Sequence, residues 1–441
     1  MLKRIQINLK SFKWNLWIAL CLLAFIPAIY QTISTAIVST TVSSNGIDIL
    51  GQMEWFDLID ETIKAFLIVP LYSILNRIYQ DNKKEFPTSV FKSGFCVFIL
   101  YLLFSLGVFI YGKHLISLMN PTESNIPQIN QYLMLETIAF IFGIIPTFIN
   151  VVFITIGKSK NVYIFMGVKV IMGILTDFIF IPSLGVNGIA ISNIIGNIIL
   201  TIMGIVVLHY EQMIKISWFS KKDKKEGMQW LKTGFFSGSQ QFIDNFVYAI
   251  MIAKMVNMVA EQGNYWVANN FIWGWLLIPI TALAEIIKGD CKEEYTSLKQ
   301  SNYYIIILFS IILWMITIPC WTLFFKNVQR LENYKEIFLI TIKLTPFYIA
   351  YSLCIVPDSI FIGKGKTILN TINSLCVNCI YYGIWFILYK LNVISFTMNM
   401  IILMFGFGMV FHLIISWMEQ FIWVSKNRKR DKNEKISNIC R

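Results

Sequence analysis

The sequence predicts an all-α polytopic membrane protein, with twelve transmembrane helices in two six-helix lobes related by a parallel pseudo-twofold repeat. Three observations predict it. Of the 441 residues, 56% are hydrophobic and only 14% charged, where a soluble domain carries roughly a quarter charged. The apolar residues come in runs long enough to cross hydrocarbon as helices, about 20 residues each. The Lys and Arg residues gather between alternate runs. A transmembrane barrel is excluded, because its strands alternate apolar and polar residues whereas 303–325 is apolar almost throughout.

Backbone in hydrocarbon must satisfy its own hydrogen bonds, so each run is read as a helix. Runs bounded by charge and turn residues place the spans at 14–42, 54–79, 90–112, 126–152, 162–181, 186–208, 230–260, 265–288, 303–325, 336–362, 368–389 and 394–424. With both termini cytoplasmic, 28 Lys and Arg fall in, or within three residues of, the N-terminus, the loops after even-numbered spans and the tail. Five (Lys113, Lys326, Arg330, Lys335, Lys390) fall outside. That asymmetry is the positive-inside rule, and an odd number of spans would scramble it. A multi-pass cell-membrane protein is the expectation.

The net charge of +12 is concentrated in the central loop (Lys221, Lys222, Lys224, Lys225) and the tail (Arg428, Lys429, Arg430, Lys432, Lys435). There it anchors topology and meets anionic membrane lipid, so no nucleic acid partner is implied. The first apolar run is too long for a cleavable signal. Eight cysteines are scattered, and the close pair Cys376 and Cys379 lacks the second pair that a structural zinc site needs. His114, His209 and His412 lie on separate segments. Neither metal nor organic cofactor is expected, and His412, inside span 12, is read as a polar contact.

An internal repeat organises the chain. Ile68-Val69-Pro70 through Asp81, Lys83 and Glu85 recurs as Leu277-Ile278-Pro279 through Asp290, Lys292 and Glu294, 209 positions later. Ile156-Gly157-Lys158-Ser-Lys160 recurs as Ile362-Gly363-Lys364-Gly-Lys366 at 206. The lobes are therefore 1–214 and 233–424, joined by a basic linker at 215–232 and followed by a basic tail at 425–441. An even number of spans per lobe gives both the same orientation. Parallel repeats of this kind place a substrate site at their interface and alternate its access.

Gly363-Lys364-Gly365-Lys366-Thr367 is similar to the end of a phosphate-binding loop, but Ile360 stands where that motif needs glycine and no strand precedes it. Transport would then draw on an ion or substrate gradient. Asp177-Phe-Ile-Phe-Ile-Pro-Ser-Leu184-Gly185-Val-Asn-Gly188-Ile-Ala190, together with the Gly157-Lys-X-Lys turn, its repeat at Gly363 and the Gly234 to Asp244 segment, resembles the multidrug and toxic compound extrusion (MATE) transporters. The resemblance covers most of 14–424. It implies ion-coupled antiport that exports small cationic or amphipathic compounds by alternating access, with Na+ or H+ as coupling ion, and no enzymatic activity; a monomer is expected.

An ionisable group held in low dielectric is costly unless it captures a proton or cation, so its occupancy can bias two conformations. Asp244, near the middle of span 7 and ten residues after Gly234, matches the spacing of an acidic residue in one branch of the resembled family. It is read as the coupling and substrate site, with a structural hydrogen bond as the alternative. In span 2, Asp57, Asp60, Glu61 and Lys64 share one helical face. This outer acidic face either receives cations or forms a solvated cap. Asp358 follows Pro357 in span 10 and is a second coupling candidate, although it does not align with the family's acid there. The stretch after Pro27 has no acid where many members carry one, so that site is not carried over. Glu136, Lys169, Lys254, Glu285 and Lys343 are read as structural. Trp266, Trp273 and Trp275 offer cation–π surface.

Two rival classes remain. A lipid-linked saccharide flippase of the same superfamily would need a basic cavity, yet away from their ends the spans hold Asp57, Asp60, Glu61, Glu136, Asp244, Glu285 and Asp358 against the lysines Lys64, Lys169, Lys254 and Lys343 and no arginine. A membrane enzyme would need a nucleophile or base, and no polar cluster is visible around His412.

Overall fold

The computed structural model describes residues 12–42, 44–119, 126–218, 223–293 and 297–439. Lys221 and Lys222 of the expected basic linker lie outside them, as do the side chains of the tail. Among the described residues every regular element is helical.

Each of the twelve expected spans is helical. Span 1 is α1 (Trp14–Thr41), followed by a short α2 (Ser44–Gln52). Span 2 divides into α3 (Glu54–Leu67) and α4 (Val69–Asp81). Spans 3 to 6 are α5 (Phe86–Leu118), α6 (Ile126–Thr155), α7 (Ser159–Leu184) and α8 (Asn187–Tyr210). Span 7 is α9 (Asp223–Tyr248), a π turn and α10 (Lys254–Met258); span 8 is α11 (Gln262–Phe271), a π turn and α12 (Ile278–Glu293). Spans 9 and 10 are α13 (Ser297–Leu323) and α14 (Tyr334–Gly363); span 11 is α15 (Thr367–Leu375), a π turn and α16 (Tyr382–Lys390); span 12 opens α17 (Met398–Ile439). Nine helices among the described residues are long and apolar enough to cross a membrane alone, and the bent pair of span 8 makes a tenth. Spans 2 and 7 fall short because charged and amide side chains interrupt their apolar runs.

The helices gather into two compact units. One comprises Ile26–Val267 with Phe324–Tyr334. In it α6 packs against α5 and α8, α8 against α7, and α9 lies along α3. Leu75, Phe86, Val90, Val152 and Phe153 are fully buried in its core. The α9–α3 approach depends on glycine. A Cβ at Gly234 would run into the carbonyl oxygen of Phe66, and one at Gly238 into its ring. Small residues four apart let two membrane helices touch backbone to side chain in this way.

The other unit comprises Met1–Phe25, Ala268–Leu323 and Lys335–Arg441. Here α15 packs on α17 and α12 on α13, and α14 buries Leu344, Tyr348, Val356 and Ile360 completely.

The repeat is visible as local geometry. Span 2 breaks at Ile68 and span 8 at Leu277, positions 209 apart. Each break is followed two residues later by Pro70 or Pro279, which supplies no N–H. Leu71 N–H reaches Ile68 O at 3.0 Å and Ile280 N–H reaches Leu277 O at 2.9 Å. A tryptophan indole N–H caps a carbonyl at each break, Trp230 to Leu67 O and Trp17 to Pro279 O, both at 2.9 Å. At the second match the structure corrects the register. Gly157 (φ 74°) and Gly365 (φ 67°) are the left-handed residues. Lys158 N–H bonds Phe153 O at 2.8 Å and Lys366 N–H bonds Phe361 O at 2.7 Å, the six-to-one bond of a Schellman cap. Gly157 therefore corresponds to Gly365, not Gly363. The offset becomes 208, because φ and not the Gly-Lys letters defines the turn.

Candidate functional site

A cavity of about 330 Å³ lies within the unit formed by Ile26–Val267. Below Pro27, α1 contributes Tyr30 and Ser34, α3 contributes Asp57, α6 contributes Tyr132 and Glu136 one turn apart, α8 contributes Asn193, and α11 contributes Trp266. Asp57 and Glu136 are its acids, and the described lining holds no Lys, Arg or His. Asn193 Nδ2 donates to Glu136 Oε1 at 3.0 Å. Glu136 Oε2 is buried and accepts no hydrogen bond among the described residues.

Asp177 of α7 stands beside this wall, fully buried. Tyr30, Ser34 and Ser192 are its polar neighbours, yet neither carboxylate oxygen is met in hydrogen-bonding geometry among the described residues. Gly173, one turn earlier, makes room for Tyr30, since a Cβ there would sit 2.7 Å from the ring. Tyr132 lies among Glu136, Asp57, Tyr30 and Asp177. A buried carboxylate is stabilised either by hydrogen-bond donors or by a captured proton or cation, and the hydroxyls of Tyr30, Ser34 and Ser192 are the groups set nearest Asp177. Sequence reasoning passed over both residues, reading Glu136 as structural and Asp177 as part of a turn motif. The signal available was an acid in the middle of an apolar run.

The acidic face of span 2 is divided. Asp57 opens into the cavity. Asp60 is buried and satisfied, accepting from Tyr101 Oη of α5 and pairing with Lys64, while Glu61 is exposed. Lys64 Nζ also lies 5.4 Å from the centre of the Phe140 ring. Asp244 is half-buried on α9 and is not among the residues lining the cavity. Its neighbour Asn245 is the buried anchor, donating to Leu58 O at 2.9 Å and Thr62 Oγ1 at 3.1 Å on α3.

In the second unit Asp358 does have a partner, His412. His412 Nε2 lies 2.9 Å from Asp358 Oδ2, and Ser416 Oγ donates to Asp358 Oδ1 at 2.7 Å. The polar cluster around His412 that the sequence hides is thus present. Trp273 meets Tyr351 edge-on at 5.2 Å, and its Nε1 donates to Tyr348 Oη at 3.0 Å. Trp275 leans on Phe25 at 5.6 Å. Of the three tryptophans of span 8, Trp266 reaches the cavity.

No protein-family model and no curated protein matches the sequence. Solved structures do. An inward-facing multidrug resistance MATE family transporter of the MOP superfamily superposes with a TM-score of 0.76 at 14% identity, covering 95% of this chain and 99% of that one. An outward-facing one gives 0.67 at 14% identity, covering 97% and 99%. A MOP superfamily transporter from Pyrococcus furiosus, described as having a binding pocket of reverse polarity that suggests a different function, gives 0.67 at 16% identity over 96% and 98%. At such identities the likeness speaks to architecture: the chain has the fold of the MATE transporters of the MOP superfamily.

Proposed function

We propose that the protein is a secondary transporter of the cell membrane that exports small cationic or amphipathic compounds by ion-coupled antiport. The observation that carries this reading is the cavity wall of Asp57 and Glu136, backed by the buried Asp177. Its volume lies at the small end of ligand sites, roughly 300–1,000 Å³. Tyr30, Phe56, Tyr132 and Trp266 supply aromatic faces beside the two carboxylates, the combination that holds an organic cation by charge and cation–π attraction.

Antiport follows from competition. The carboxylates are neutralised either by the cargo or by Na+ or H+, so binding of one expels the other. A protein with two conformations is shifted by whichever occupant binds one of them better. The shared fold supports a transporter that alternates access between the two membrane faces. The flippase reading is disfavoured by the lining itself, since two acids and no base repel a pyrophosphate. The transporter works as a monomer among membrane lipids, both termini cytoplasmic, with no cofactor at the cargo site.

The test is efflux of a fluorescent organic cation from proteoliposomes, with pH and sodium gradients imposed separately. Asp57→Asn, Glu136→Gln and Asp177→Asn are each expected to lower gradient-driven efflux at least tenfold while the protein remains folded in detergent. Asp244→Asn, run in parallel, separates the site favoured by geometry from the site favoured by sequence. Efflux at the wild-type rate under both gradients in all three of the Asp57, Glu136 and Asp177 variants overturns the reading.

A further inference from the structure

The second unit contains a cluster of side chains that the transport reading does not use. Cys354 and Asp358 are four residues apart on α14, hence on one face. His412 on α17 faces them, and a Cys sulfur, a carboxylate oxygen and an imidazole nitrogen lie within 4.8 Å of one another. We propose that Cys354, Asp358 and His412 bind a divalent transition metal, Zn2+ in preference to Na+ or Mg2+, with Glu419 supplying a fourth ligand.

Donor chemistry favours this ion class. Thiolate and imidazole suit zinc and its neighbours, whereas Na+ and Mg2+ require oxygen ligands. Zinc takes Cys sulfur at about 2.3 Å and His nitrogen or carboxylate oxygen at about 2.0–2.2 Å in a tetrahedron. Its ligand atoms then stand about 3.3–3.6 Å apart, so His412 Nε2 and Asp358 Oδ2, now 2.9 Å apart, must part slightly while the wider separations, all within 4.8 Å, narrow by side-chain rotation. Cys354 is buried, 1% exposed, and its Sγ donates to Tyr351 O at 3.0 Å. It is therefore a thiol that gives up its proton when metal binds, as zinc sites require.

The fourth ligand rests on a separate observation. Glu419 lies two turns beyond His412 on the same face of α17. Its Oε2 is buried with no hydrogen-bond partner among the described residues, and Asp358 and His412 are the charged groups it faces.

The supporting shell is also in place. Ser416 holds Asp358 Oδ1 at 2.7 Å. Asn373 of α15 donates to Ser416 Oγ at 2.7 Å and to the His412 carbonyl at 3.2 Å. Asn370 donates to the Asp358 carbonyl at 3.1 Å. Outer contacts of this kind orient metal ligands, and losing one typically costs 10–100-fold in affinity. A bound metal would cross-link α14 to α17 beside Pro357, which lies inside α14.

The experiment uses the full-length protein in detergent, tag removed, stripped with chelator and titrated with Co2+. The expected result is one Co2+ per chain, with a thiolate-to-cobalt charge-transfer band in the near ultraviolet and displacement by Zn2+. Cys354→Ser removes the band, and Ser416→Ala weakens binding about tenfold. A variant in which the seven other cysteines are serine keeps the band, which guards against a folding defect in Cys354→Ser. Absence of stoichiometric binding by the wild type, or a band that survives in Cys354→Ser, overturns the proposal. Asp57→Asn should bind Co2+ like the wild type whatever its transport, so the two proposals fail separately.

Discussion

Glu136 and Asp57 meet the cavity while Asp177 lies behind it, and one position without a side-chain carbon makes room for the Tyr30 ring beside them. Gly173 carries no Cβ, so the Tyr30 ring fits against α7 one turn from Asp177. Gly173→Val is expected to push that ring aside and lower the unfolding midpoint in detergent by the equivalent of about 1–3 kcal/mol, the usual cost of overpacking. Tyr30→Leu in the same chain should recover much of the loss. Additive losses in the double-mutant cycle would show that the two residues do not touch. The acids themselves were only partly legible. Helical spacing places Asp57, Asp60, Glu61 and Lys64 on one arc of α3, but it does not say that Asp60 finds Tyr101 while Asp57 finds a void. Glu136 and Asp177 were passed over because their polar neighbours, Asn193 for the one and Tyr30, Ser34 and Ser192 for the other, come mostly from other helices.

Spans 2 and 8 of this chain break just before a proline. Pro70 and Pro279 follow breaks whose carbonyls take tryptophan N–H groups, and Trp230→Phe is expected to cost about 1 kcal/mol, the worth of one neutral hydrogen bond. The turns after α6 and α14 place Gly157 and Gly365 in the left-handed region. An alanine at either position should destabilise by about 1–2 kcal/mol, readable as a lower midpoint of thermal unfolding. Equal stability of Gly157→Ala and the wild type would contradict the Schellman geometry. Span existence was legible at this scale because hydrophobic length is a local property. The breaks were not fully so: both prolines were seen, but nothing local reveals that an indole 163 or 262 residues away caps each one.

Across the whole molecule, topology makes the strongest prediction. Single cysteines replacing Lys113 or Lys390 should react with an impermeant maleimide in intact cells, and those replacing Lys158 or Lys364 only after permeabilisation. The opposite pattern would invert the positive-inside assignment. The acidic cavity and the Cys354, Asp358 and His412 cluster occupy different units, so the proposed cargo exchange and the proposed metal binding can be assayed independently.

By itself the sequence determined that the chain is a helical, multi-pass membrane protein with an internal repeat. Transfer of each residue into hydrocarbon is nearly additive along a run, and loop charge sets orientation by simple count. Tertiary structure alone decided which ionisable groups are paired, which are left bare and which line a void. Glu136 and Asn193 are 57 residues apart, and Asp358 and His412 are 54 apart. The energy of a buried polar group depends on what neighbouring helices bring to it, and that information is absent from any single stretch of chain.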